Sequence, residues 1–318
     1  MLSQIKPRKH WRLTGTDFIS ILPPYLNLGK LDEFIDSSLS EDLGSGDVTT
    51  EWTIPAGRSA RGVFVAKEEG IVAGLVVSSR IFDRIDPELI TEWNVQDGDR
   101  VATGTRFGTI SGNARAILIG ERFALNVMQR MSGIATSTAA YVRETSGSRA
   151  KILDTRKTFP GLRLLDKWAV VLGGGMNHRI GLHDMVLIKD NHIAAAGGIK
   201  SVIESVNHYR LHTGNSGIPV EIEATTLEQV REIMTCGGVD RILLDNMVDV
   251  RDDGSVDTSM LSNAVEMIEG RFETEASGNV RLETVSDIAA TGVDFISCGA
   301  LTHSVQALDL SLLIQFKS

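Results

Sequence analysis

From Lys151 onward the chain repeats one unit, a short apolar run that closes on a charged or small polar residue, followed by a stretch that can hold a helix. The runs are ILDTR, VLIKD, VEIEA, RILLDN, FETEAS and FISCGA, and segments such as Leu227 to Met234 and Leu282 to Ala290 carry helical periodicity between them. Strand, helix, strand alternation requires parallel strands joined by right-handed crossovers, which leaves an α/β barrel or an open wound sheet. The residues that close the runs separate the two. They are Asp154 and Arg156, Lys189 and Asp190, Glu221 and Glu223, Asp245 and Asn246, Ser277 and Gly278, and Ser297 and Gly299. A barrel brings the carboxyl ends of its strands to one mouth, where such unlike groups can meet a common ligand; an open sheet spreads them along a line. The pattern therefore predicts a barrel, and with about six runs visible it falls short of the usual eight strands.

The first half reads differently. Residues 17 to 40 have a helical period, with Leu31, Phe34, Ile35 and Leu39 on one face. Ser59 to Gly112 breaks into short β-like runs punctuated by glycine. Within it, Gly98, Val101, Gly104 and Ile110 resemble the hammerhead of lipoyl and biotinyl carrier domains. No lysine lies between Lys67 and Lys151 to carry a cargo, so the stretch is read as structural. Residues 114 to 145 form a long helical pattern through Leu118, Leu125, Met128 and Met131, with a break expected near Ser132-Gly133. A length of 318 residues accommodates two domains.

The formal charge is -9, yet Arg156, Lys157, Arg179 and Lys189, with His178 among them, crowd around short apolar segments. General attraction for anions cannot explain that cluster in an acidic chain, so it predicts a pocket for a small, multiply anionic substrate. The acidic balance argues against a nucleic-acid surface, which needs a basic face. Cys236 and Cys298 have no metal-ligand spacing and make no disulfide framework, which fits a reducing cytoplasm. No apolar run approaches the roughly 18 residues of a membrane span, so no membrane partner is expected. Lys6, Arg8, Lys9 and Arg12 precede the first acid, Asp17, and weakly resemble a transit peptide.

A cationic pocket raises the question of phosphate. There is no GxxxxGK[ST] loop, and Gly173-Gly174-Gly175 runs into MNHR where a nucleotide-binding helix would start. Asp252-Asp253 resembles the acidic pair of type I phosphoribosyltransferases, but it follows no strand and reads as a solvated turn. Ser277-Gly278-Asn279 and Ser297-Cys298-Gly299-Ala300 each follow a strand, where backbone N–H groups can cradle a phosphate. Glu223 and Asp245 close neighbouring strands and can share one magnesium ion beside a phosphorylated ligand. A salt bridge to Lys189 or Arg156 fits their spacing equally. Glu221 points to the same side as Glu223, so either can fill the role. Arg179 can make a bidentate pair with a carboxylate, next to His178, while His192 reads as a helix-start or packing residue.

Five segments, taken in order, resemble one family: EDLGSGDVTT at 41 to 50, ERFALNVMQRMSGIAT at 121 to 136, the whole stretch from Ile152 to Ile193, ILLDNM at 242 to 247 and ISCGALTHS at 296 to 304. They resemble the nicotinate-nucleotide pyrophosphorylases, or quinolinate phosphoribosyltransferases, over nearly the whole chain after about residue 30. DTRKT, GGGxNHR and IKDNH together are the most specific. The resemblance implies an N-terminal α/β sandwich over residues 1–130, with 301–318 returning to it, and a seven-stranded, incomplete α/β barrel over 131–300. It also implies a homodimer or larger homo-oligomer in which Arg122 reaches into the neighbour's pocket.

The implied activity is phosphoribosyl transfer from phosphoribosyl pyrophosphate to quinolinate with decarboxylation, assisted by magnesium, in the de novo synthesis of NAD. Carried over by motif, Arg156, His178 and Arg179 hold the quinolinate carboxylates, and Lys157 and Lys189 face both substrate and pyrophosphate. Glu223 and Asp245 match the acids at the ribose and magnesium, and Ser277, Gly278 and Gly299 match the 5-phosphate site. Lys157, Lys189, Glu223 and Asp245 are the catalytic candidates. Asn279, Cys298 and Phe159 depart from the usual family residues without removing a charge. The rival readings are a sister phosphoribosyltransferase, nicotinate-specific or associated with molybdenum transport, and a noncatalytic carrier or binding protein. Release of carbon dioxide separates the first from the main reading, and the missing cargo lysine argues against the second.

Overall fold

The computed structural model describes residues 21–214, 217–251 and 254–316. Lys6, Arg8, Lys9 and Arg12 lie outside the described residues, as does the Asp252-Asp253 pair. The chain forms two compact units: Met1–Ser137 with Pro160–Gly173 and Val305–Ser318, and Thr138–Phe159 with Gly174–Ser304.

In the first unit a four-stranded antiparallel sheet runs in the order Leu310–Phe316, Ser59–Ala66, Arg106–Asn113, Ile90–Trp93. Phe64, Trp93 and Phe107 meet on one face with ring centroids 4.8 to 6.1 Å apart, and the Trp93 indole donates to Ser79 Oγ at 2.9 Å. Large rings that bury fully while the indole N–H keeps a partner make an inexpensive core. The helix expected over 17–40 is Leu28–Leu43, with Leu31 and Ile35 buried; residues 17–20 lie outside the described residues. It begins late because Pro23-Pro24 interrupts the pattern and Asn27 caps the helix, accepting from the Lys30 N–H at 2.9 Å.

The expected break near Ser132-Gly133 does not occur, and Ala114–Glu144 is one helix of 31 residues. Both residues serve contacts instead. Ser132 Oγ accepts the Ala73 N–H at 2.9 Å, and a Cβ on Gly133 would stand 2.0 Å from the Gln306 carbonyl oxygen. Glycine is there so that the returning C-terminal segment can lie against the helix.

The second unit holds six parallel strands in the order Lys151–Leu153, Phe295–Ser297, Glu273–Ser277, Arg241–Asp245, Val220–Ala224, Val186–Ile188. Each apolar run of the sequence supplies one. The family resemblance implied seven. At the seventh position there is a single parallel bridge, Leu153 to Met176, because the glycines before Met176 supply no side chains to extend it. The result is an incomplete α/β barrel. Registers Glu221↔Arg241 and Ser277↔Asp245 put Glu221, Glu223, Arg241, Asp245, Glu275 and Ser277 on one face of the sheet. The opposite face carries Ile222, Ile242, Leu244 and Ala276, all buried. The charged face is thus the inside of the barrel, and the strand ends form its mouth.

Candidate active site

Two segments bring the arginines together. Asp154, fully buried just past its strand, accepts the His178 backbone N–H at 2.9 Å and Asn177 Nδ2 at 2.6 Å. The loop after the glycines is thereby tied to the DTRK run, and Arg179 comes close enough to feel the Arg156 charge. Burial, and then that neighbouring guanidinium, push the Arg179 pKa below its ordinary value. Arg179 Nη1 donates to the Met185 carbonyl at 3.2 Å, while Arg156 Nε is buried with no hydrogen-bond partner. Like charges held together, one of them with an unsatisfied donor, make an anion site prepared in advance.

The other residues singled out in the sequence lie at or just beyond the strand ends of the same unit. Lys189 Nζ lies 3.2 Å from Glu223 Oε2, so the salt bridge weighed against metal binding is present. Asp245, half-buried on the adjacent strand, accepts from Asn246 Nδ2 at 2.7 Å. Lys157 is exposed beside Gly299, where an added Cβ would come within 2.9 Å of its Cδ. Its carbonyl accepts from Thr302 Oγ1 at 2.9 Å. Gly278 has φ +87°, and a Cβ there would stand 2.1 Å from Asn246 Oδ1, so the turn after Ser277 admits only glycine. Asn279, at φ 54°, continues that left-handed turn and donates to the Val248 carbonyl at 3.0 Å. His192 Nδ1 accepts the Lys189 N–H at 3.0 Å in a capping box, which is the helix-start role expected of it.

Below the mouth the barrel is charged, not apolar. His178 is 8% exposed, and Glu221 and Glu275 are completely buried. His178 Nε2 lies 2.9 Å from Glu221 Oε2 and 3.5 Å from Glu275 Oε1. The other Glu275 oxygen receives Arg241 Nη1 at 2.9 Å, and Arg241 also reaches Glu273 and stacks 3.9 Å from the Phe295 ring centroid. Burial and the nearby Glu221 charge push the Glu275 carboxyl up to about 7, opposed by the Arg241 guanidinium. Glu221 is raised as well, chiefly by burial. Glu221 and Glu223 differ in depth: Glu221 is completely buried beside His178, whereas Glu223 is half-buried and meets Lys189.

Comparison with known proteins bears on what such a site serves. Residues 134–313 match the family described as quinolinate phosphoribosyl transferase, C-terminal domain, and 47–132 match its N-terminal domain. The chain belongs to the quinolinate phosphoribosyltransferase family. Among its relatives, the mitochondrial quinolinate phosphoribosyltransferase [decarboxylating] 2 of Nicotiana glauca is 52% identical over 95% of this chain and 87% of that protein. The chloroplastic nicotinate-nucleotide pyrophosphorylase [carboxylating] of Arabidopsis thaliana is 53% identical over 94% of this chain and 87% of its own length. The crystal structure of NadC from Streptococcus pyogenes has 37% identity and a TM-score of 0.84, covering 92% of this chain and 99% of that one.

Within this site, sequence reasoning missed Glu275 and Arg241. The available signal was an acid or arginine in runs otherwise buried, an even number of residues before groups already assigned to the mouth: Glu275 two before Ser277, and Arg241 four before Asp245. Arg122 belongs to the other unit, exposed on the helix Ala114–Glu144. It borders a cavity of about 390 Å³ whose walls include Phe34, Asp42 and Arg130. Among the described residues no helix is long and apolar enough to cross a membrane.

Proposed function

We propose that this protein transfers the phosphoribosyl group of phosphoribosyl pyrophosphate to the ring nitrogen of quinolinate, releasing pyrophosphate and carbon dioxide and leaving nicotinate mononucleotide for the de novo synthesis of NAD. The observation that carries this reading is the paired Arg156 and Arg179, with the Arg156 Nε buried and unpartnered. A dicarboxylate relieves both the repulsion and the missing hydrogen bond. The decarboxylating activity in the names of the plant relatives agrees with it.

Both substrates are anions, so their approach is opposed by Coulomb repulsion, and fixed cations at the mouth remove that barrier. Arg156 and Arg179 hold the quinolinate carboxylates, while Lys157 and Lys189 serve the pyrophosphate as well. Lys189 is released for this from Glu223, whose carboxylate then faces the ribose. As the bond to pyrophosphate lengthens, the ribose carbon gains positive character, which the Glu223 and Asp245 carboxylates stabilise. Once the ring nitrogen is bonded, the pyridinium accepts the electron pair left by departing carbon dioxide. The turns at Ser277, Gly278 and Gly299 seat the 5-phosphate through backbone N–H groups.

Glu223 and Asp245, half-buried and adjacent, fit a magnesium ion, which takes few protein carboxylates and completes its shell with phosphate oxygens and water. Bound there it would neutralise charge on the leaving pyrophosphate. We infer further a homodimer or larger homo-oligomer in which Arg122 of one copy completes the pocket of another. Free Cys236 and Cys298 suit a reducing compartment such as the cytoplasm.

The test is incubation with quinolinate, phosphoribosyl pyrophosphate and magnesium, following carbon dioxide and pyrophosphate together. Equal yields of the two are expected. Pyrophosphate release with nicotinate, and none with quinolinate, would instead indicate the sister enzyme.

A further inference from the structure

Both ring nitrogens of His178 face protein groups. Its Nδ1 accepts the Arg179 backbone N–H at 2.7 Å, so the proton of the neutral ring is on Nε2. That nitrogen lies 2.9 Å from Glu221 Oε2 and 3.5 Å from Glu275 Oε1, two buried oxygens that receive no in-line hydrogen bond. We propose that His178 is a positioning residue and that Glu221 and Glu275 hold its ring so that Arg179 meets the substrate carboxylate in one fixed place. This rests on the quinolinate reading above.

Three observations lead there. The first is the expense of the arrangement. Barrel interiors are ordinarily filled by branched aliphatic side chains, and burying ionisable groups is seldom repaid in stability. Glu221 and Glu275 are nonetheless completely buried, which implies a task other than stability. The second is the softness of the loop. Three glycines precede Met176, so the backbone that carries Arg179 has no stiffness of its own and must be anchored. It is anchored through the His178 N–H on Asp154, and the imidazole is packed against the carboxyl pair. The third is direction. The ring is linked by one hydrogen bond to the residue that bears the guanidinium, so a tilt of the imidazole moves Arg179 directly. The three side chains are close enough to hold a metal ion. The Arg241 guanidinium at 2.9 Å from Glu275 already supplies positive charge, so no ion is required.

The experiment is a double-mutant cycle on the full-length protein. Quinolinate affinity is measured by calorimetry for the wild type, Glu275→Gln, His178→Ala and the double variant, and folding is verified by circular dichroism. Nitrogen-15 histidine spectra report the His178 tautomer independently of activity. Glu275→Gln should weaken quinolinate binding about tenfold, as losses of supporting groups around a site commonly do. Because Glu275 acts through His178, it should weaken it no further once His178 is alanine. The unliganded wild type should show Nε2 protonated and Nδ1 bare. Additive losses, wild-type affinity in a folded Glu275→Gln, or a proton on Nδ1 would each overturn the proposal. A wild type that does not bind quinolinate at all overturns the enzymatic reading first, and this one with it. Should Glu275→Gln fail to fold, Glu221→Gln takes its place in the cycle with the same outcomes.

Discussion

Arg156 and Arg179 repel one another in the unliganded protein, so their juxtaposition lowers stability in exchange for ligand binding. Arg179→Ala should therefore reduce kcat/KM for quinolinate by about a hundredfold or more, the loss of a bidentate charge-assisted contact. The thermal midpoint should stay the same or rise, because a like-charge neighbour of Arg156 has gone. Kinetics and scanning calorimetry on one preparation check both, and a midpoint lowered by many degrees would make Arg179 structural. Glu275 gives a second, opposite signature. Its carboxyl is pushed from 4.5 up to about 7, so folding favours the protonated form. The stability it contributes is complete below its unfolded pKa and is lost as pH rises through about 7. A shift of this size corresponds to about 3 kcal/mol. Denaturant unfolding between pH 5 and 8 should show a decline of that order in the wild type and a flatter profile in Glu275→Gln. The mouth residues were legible because the two-residue period of a strand and the closing position of each run put them there. Glu275, Arg241 and the Asp154 contacts were not. A charge within a strand looks like a solvated face until the sheet closes around it.

All six barrel strands could be read from the sequence, since parallel strands covered on both sides produce short apolar runs with little else to confuse them. The long helix was harder. Serine and glycine in succession weaken a helix, so a break at 132–133 was expected, and only the contacts with Ala73 and Gln306 explain why both residues sit within an unbroken helix. The start of the preceding helix was misjudged for a local reason, the proline pair before Asn27. Gly133 supplies the sharpest test of the contact argument. In an isolated helix glycine to alanine stabilises by about 1 kcal/mol. Here the added Cβ would meet the Gln306 carbonyl oxygen at 2.0 Å, a backbone atom that cannot swing away. Gly133→Ala should accordingly destabilise by about 1–3 kcal/mol, as overpacking does. Urea unfolding gives the sign, and faster proteolysis near Gln306 would locate the strain. A stabilised variant would mean that the segment yields at no expense.

With a formal charge of -9, the protein as a whole repels the anions proposed as its substrates, so capture depends on a local concentration of cations. Arg156, Lys157, Arg179 and Lys189 all come from one compact unit, whereas Arg122 comes from the other. If Arg122 completes the pocket of a neighbouring copy, each site of a dimer draws on two chains. Two defective proteins can then repair one another. Arg122→Ala and Arg179→Ala should each be nearly inactive alone. In a hybrid dimer one site receives both substitutions and the other receives neither. Random pairing after co-expression makes about half of the dimers hybrid, each with one intact site, so activity should return to about a quarter of the wild-type value. Separately tagged chains allow the hybrids to be purified, and these should show about half the wild-type activity per dimer on the same reasoning. Mixtures that stay as inactive as their parents would confine Arg122 to its own chain or remove it from the site.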